Sequence, residues 1–124
     1  MVEQRRADEI ALLVTLQAEV AAVDDEIRDK AFAFVDKAKQ DNKPFFLWLN
    51  PTRMHIVTHL SDKYEAMRNS QNGWSEQEAG MAQLDDIVGD VMAKLKKEGM
   101  DDNTIVVFSS DNGGEALSGG NFHA

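Results

Sequence analysis

A chain of 124 residues with 43% hydrophobic and 28% charged content has the make-up of one globular domain with a real core. Its 13 basic against 22 acidic residues leave a net charge of −9, which argues against nucleic acid or an anionic membrane surface as a partner, since both call for a basic face. Cysteine is absent, so disulfides, thiolate metal sites and thiol nucleophiles are excluded.

Residues 3–22 read as an amphipathic helix, with Ile10, Leu13, Val14 and Val20 near one face. The apolar stretch Ile10–Val14 is too short to span a bilayer. Glu3, Asp8 and Glu9 beside Arg5 and Arg6 do not make the basic start of a signal peptide, so the compartment is not encoded in these residues. A second helix is expected to open at Asp24-Asp25-Glu26, where acids suit a helix N-terminus. Its apolar positions are Ile27, Ala31, Phe34, Val35 and Ala38, and it should end at Asn42-Lys43-Pro44, because a residue before proline is pushed out of the α region. Phe45 to Leu49 is an unbroken apolar run, the pattern of a strand buried on both faces.

A polar loop over residues 50–62 leads to a short helix through Tyr64 and Met67, and Asn69 to Gly73 is turn chemistry. Ser75 and Glu78 form a capping box that opens a helix carrying Met81, Leu84, Ile87, Val88, Val91, Met92 and Leu95 at helical spacing. Lys94, Lys96 and Lys97 suit its last turns, and Gly99 supplies the stop. Asp101-Asp102-Asn103 then turns into a second strand, 104–109. The order predicts an α/β fold in which parallel strands 45–49 and 104–109 are joined by a right-handed helical crossover, with helices N-terminal to both. Trp48, Met81 and Met92 are expected in the core, Trp74 beneath the loop preceding its helix, and His123 in solvent.

The second strand runs into Asp111-Asn112-Gly113-Gly114, which sets a carboxylate and an amide oxygen at a strand end. Hard divalent cations take oxygen ligands, and ligands collect at the carboxyl ends of strands in open α/β sheets. Taken alone, the same residues more often form a turn. His55 alone reads as a loop histidine. His55 and His59 are four apart, a zinc spacing only on a helix, and this stretch reads as loop.

Several segments taken together carry a resemblance. They are Lys43-Pro44-Phe45-Phe46-Leu47-Trp48-Leu49-Asn50, Thr52-Arg53-Met54-His55, Leu84-Asp85-Asp86-Ile87-Val88-Gly89, and the run from Gly99 through Asp102-Asn103-Thr104 to Ser110-Asp111-Asn112-Gly113. In this order and spacing, from about Val23 to Gly114, the chain resembles the sulfatase family, in the arylsulfatase-type branch of the alkaline-phosphatase-like superfamily. The resemblance implies a partial sulfatase domain over 23–124 with an alkaline-phosphatase-like fold. Residues 1–22 then form an N-terminal helix of unassigned role. It also implies hydrolysis of sulfuric esters, with Asp111 and Asn112 as ligands of an active-site calcium. His55 would contact the sulfate group or protonate the leaving oxygen. A divalent ion stabilises charge developing on sulfuryl oxygens, and an imidazole is an acid of the right strength near neutrality.

The departures from the family pattern set further expectations. Members carry a formylglycine nucleophile made from the first residue of Cys/Ser-x-Pro-Ser-Arg, and that motif does not occur here. Asn50-Pro51-Thr52-Arg53 echoes it only superficially, after the wrong strand. The Asp-Asp metal ligands of the family's first strand and its downstream sulfate-binding lysine have no counterpart either. The chain is therefore expected to correspond to an internal piece of a sulfatase, binding calcium weakly and catalytically silent by itself. Family members are often periplasmic, secreted or lysosomal. Two other readings stand beside this one. The first is a phosphate or phosphonate ester hydrolase using the same metal pair. The second is a non-catalytic module that forms homo-oligomers through its acidic first helix and uncovered strands.

Overall fold

The computed structural model describes residues 2–55 and 58–112; within the first helix the side chains of 2–5, 7–10, 13–15, 17 and 18 are not among those described. Helix α1 spans Val2–Gln40 as one unbroken 39-residue element. The two helices expected over 3–22 and from Asp24 onward are therefore one. Two physical reasons account for this. No glycine or proline occurs before Pro44, so nothing in the backbone stops the helix. The Asp24 carboxylate, expected to serve a helix start, instead accepts hydrogen bonds from the main-chain N–H and hydroxyl of Thr52, 28 positions away.

The end of α1 is a hydrogen-bonded stop. Lys43 N donates to Ala38 O and Asn42 N to Lys39 O, each at 3.0 Å, with Asn42 in the left-handed region at φ 50° and Pro44 following. This is a Schellman motif built on asparagine. After a four-residue helix α2 (Asp62–Glu65), helix α3 (Glu76–Lys97) opens with the expected capping box of Ser75 and Glu78. It closes with the same motif, Met100 N to Leu95 O at 2.9 Å and Gly99 N to Lys96 O at 3.0 Å, with Gly99 at φ 66°. A short 3₁₀ turn, Asp101–Asn103, follows.

Arg28 on α1 meets Asp90 on α3 at 3.1 Å, Asp36 meets Lys94, and Lys39 meets Glu98 at 2.7 Å, so the two helices run side by side in the same direction. Their shared core is built largely from small side chains: Ala21, Ala31, Val35 and Ala38 of α1, and Ala79, Ile87 and Leu95 of α3. Tyr64 of α2 is buried too, its hydroxyl donating to Asp86 on α3 at 2.9 Å.

The expected strands differ from what is found. Segments 45–49 and 104–109 are non-helical but belong to no ladder among the described residues. A strand is completed by hydrogen bonds to a neighbouring strand, and no described segment lies in that register. Phe45, Leu47 and Leu49 are half-buried while Phe46 and Trp48 are exposed, the period-two alternation of an extended chain with one covered face. Phe45 packs edge-on against Phe34 of α1, with ring centroids 6.3 Å apart. Trp48 is 76% exposed and Ile105 93% exposed, so neither sits in a core. Met81 and Met92, expected as core fillers, and Trp74 also face solvent substantially. The apolar stripe of α3 is wider than the surface α1 and α2 cover. No described helix is long and apolar enough to cross a membrane. The expected exposure of His123, the Gly113-Gly114 turn and the packing of Ile10, Leu13 and Val14 lie outside the described residues.

Glu98 joins the C-terminal ends of both long helices. Hydrogen bonds from Lys39 and then Lys94 lower its carboxyl from 4.5 to about 2. A carboxyl lowered on folding stabilises the fold above its unfolded value and loses that contribution as the pH falls through its folded one. Glu98→Gln is therefore expected to lower the melting temperature by a few degrees at pH 7. The gap to the parent chain should close between about pH 4.5 and 2 in melts followed by circular dichroism.

Candidate functional site

The loop that leaves the first extended segment is organised by a buried charge pair. Asp24 of α1 and Arg53 lie 3.5 Å apart, Oδ2 to Nε, with side chains 0% and 3% exposed. Thr52 sits between them. Its hydroxyl donates to Asp24 Oδ2 at 3.0 Å and accepts from Arg53 Nη1 at 3.1 Å, using one proton and one lone pair. Arg53 also donates from Nε to Gln83 Oε1 on α3 at 2.9 Å, and from Nη2 to the carbonyl of His59. All three guanidinium nitrogens are thus engaged, which is the arrangement a planar fork suits. Gln83 Nε2 is buried with no hydrogen-bond partner among the described residues.

The next residues lie along α3. Met54 and Thr58 cross Gly80, where a Cβ would come within 2.8 Å of Met54 Sδ and 3.4 Å of Thr58 Cγ2. The carbonyl of His55 accepts from Thr58 Oγ1 at 2.8 Å and from Gln77 Nε2 on α3 at 3.4 Å. The main chain at His55 is therefore tethered from two sides, while the residue itself is exposed. None of this was read from the sequence. Asp24 looked like helix-start chemistry and Arg53 like part of a superficial echo, because a contact across 28 positions leaves no local signature.

Asp111 and Asn112 lie in a bend that ends the second extended segment, and both are exposed. Ser110 Oγ donates to the main-chain oxygen of Asn112 at 2.6 Å, and no described residue donates to the side-chain oxygens of either. A carboxylate and a carboxamide oxygen are the donor types that hard cations such as calcium take, and two of them fall short of the roughly 6–8 oxygens calcium needs. The described residues bring together no group of three His, Asp or Glu side chains that could hold a metal ion. The geometry thus gives two separate elements: a tethered loop bearing His55 and an exposed oxygen-donor corner at 111–112.

The family model described as Sulfatase matches residues 10–124. Among curated relatives, the chain is 33% identical over 94 residues to "Uncharacterized sulfatase YdeN" of Escherichia coli (strain K12), covering 73% of this chain and 17% of that protein. It is 30% identical over 89 residues to the N-acetylgalactosamine-6-O-sulfatase of Bacteroides thetaiotaomicron, covering 72% and 16%. It is 34% identical over 80 residues to arylsulfatase J of Mus musculus, covering 63% and 13%. The match thus spans less than a fifth of each relative's length. No solved structure matches.

Replacing Arg53 by methionine leaves the Asp24 carboxylate buried without its charge partner, a change that typically costs about 3–5 kcal/mol. Urea denaturation of Arg53→Met should show a loss of that order. The double variant Asp24→Leu/Arg53→Met should recover much of it.

Proposed function

Because the chain belongs to the sulfatase family, we propose that it supplies the metal-binding corner and the leaving-group histidine of a sulfuric-ester hydrolase. The observation that carries this reading is the family match across residues 10–124. It is supported locally by exposed side-chain oxygens at Asp111 and Asn112 that accept no hydrogen bond from a described residue. In this reading the Asp111 carboxylate and the Asn112 carboxamide oxygen hold a calcium ion. When bound, that ion stabilises negative charge on the sulfuryl oxygens.

The chain's own contribution to the chemistry lies with His55. Its imidazole contacts the sulfate group or gives a proton to the ester oxygen as the carbon-bearing alcohol departs. The tether on its main chain restricts where that proton is offered, and orientation of this kind lowers barriers by restricting freedom before the reaction. The 124 residues contain no cysteine and no serine in the Ser-x-Pro-Ser-Arg pattern, so they hold no formylglycine precursor. By this account the chain alone binds but does not turn over.

Two measurements test the proposal. A calcium titration of the chain should give millimolar or weaker affinity, with amide shifts concentrated at residues 111 and 112 and abolished in Asp111→Ala/Asn112→Ala. Equal calcium shifts in that variant would rule out the assigned ligands. Incubation with an aryl sulfate should release no product above the buffer rate; measurable turnover would refute the silent assignment.

A further inference from the structure

Three successive residues of the loop lie against three positions of one helix. Arg53 meets Gln83, Met54 lies over Gly80, and the carbonyl of His55 meets Gln77. Positions 77, 80 and 83 are spaced by three and so share one face of α3. The loop therefore runs antiparallel along that face, one residue to every three of the helix, and the register of its backbone on α3 decides where His55 stands.

Register along a smooth apolar face is weakly specified, and here two features specify it. Gly80 opens a notch, since the approach of Met54 leaves no room for a Cβ there without a shift. Arg53 supplies direction, because its Nε meets both helices, hydrogen-bonded to Gln83 of α3 and ion-paired with Asp24 of α1, while Nη1 and Nη2 donate to Thr52 and the His59 carbonyl of the loop itself. A notch alone permits sliding; a guanidinium hydrogen-bonded to one helix and ion-paired with the other does not. We infer that Arg53 is a positioning residue that fixes the register of residues 53–55 on α3 and thereby the placement of the His55 imidazole. The inference rests on the reading of His55 as the sulfate-contacting group for its chemical meaning, but the geometry it asserts can be measured by itself.

The test uses the full chain, isotope-labelled, with Arg53→Lys, which keeps the positive charge and removes the fork. Gln83→Leu is the second variant. It removes only the acceptor on α3, and it replaces a side chain whose Nε2 is already without a described partner by an apolar one of similar size. Two quantities are read at residue 55: the backbone order parameter, and the shift of the imidazole signals on titration with inorganic sulfate.

In the parent chain His55 should be ordered, near the rigid value of roughly 0.85, and should respond to sulfate. In both variants the signals of α1 and α3 should stay in place. The order parameter should fall toward roughly 0.6 or below, and the sulfate affinity at His55 should drop about tenfold, with the smaller change in Gln83→Leu. An unchanged order parameter at His55 in a folded variant overturns the positioning role. If Arg53→Lys does not fold, Gln83→Leu decides the question. If the parent His55 ignores sulfate while its order still depends on Arg53, the positioning inference stands and the sulfate reading fails.

Discussion

A carboxylate on α1 and a guanidinium on the following loop meet where water does not reach, and the described tertiary structure is arranged around that meeting. Ion pairing in such a place is conditional. Taking both charges out of water costs several kcal/mol each, and their attraction offsets this only when the remaining donors and acceptors are also satisfied. Thr52, Gln83 and the His59 carbonyl satisfy them, so Asp24 and Arg53 bring two helices and a loop to one point. Four of the seven fully buried apolar residues of α1 and α3 are alanines, which bury little area each. With so thin an apolar seam, the polar cluster and the ion pairs at Arg28, Lys94 and Glu98 decide how the helices align.

Local chemistry was legible. The capping box at Ser75 and Glu78, the stops at Asn42 and Gly99, and the helix between them follow from residue types at fixed spacing. Two inferences about distant contacts differ from the structure, the helix start at Asp24 and the buried strand at 45–49. Asp24 was assigned to its neighbours in sequence when its carboxylate belongs to Thr52 and Arg53. The run at 45–49 has the pattern of a strand covered on both faces, yet only Phe45, Leu47 and Leu49 find a surface to lie on. An apolar run reports that a segment is fit for burial and says nothing about what would cover it. The candidate site divides the same way. His55, Asp111 and Asn112 stand out because the family pattern surrounds them, whereas the residues that hold the His55 loop, Gln77, Gly80 and Gln83, look like ordinary helix positions until the loop is laid across them.

A repeated unit is visible once the stops are compared. Each long helix ends in a left-handed residue, Asn42 or Gly99, and each is followed within five residues by an apolar non-helical segment, the second after the 3₁₀ turn Asp101–Asn103. The second of these ends at the Asp111-Asn112 corner, and the first ends just before the loop that carries His55. Both candidate functional elements thus occupy the same position relative to a helix, a turn and an extended segment, as α/β proteins place ligand-contacting groups at the ends of their strands.

The parallel course of α1 and α3 has an electrostatic consequence. Peptide dipoles in the two helices add in the same sense, so two partial negative charges, each equivalent to roughly half an elementary charge, lie at the same end of the molecule. Lys37 and Lys39 stand in the last turn of one helix and Lys94, Lys96 and Lys97 in the last turn of the other. Five of the 13 basic residues are therefore gathered where the aligned dipoles would otherwise repel. Three of the five are met there by carboxylates, Lys37 by Asp41, Lys39 by Glu98 and Lys94 by both Asp36 and Glu98. The lysines of that end therefore answer the summed helix dipoles and the local carboxylates together, and the parallel packing of α1 and α3 is tolerated without making the end strongly charged.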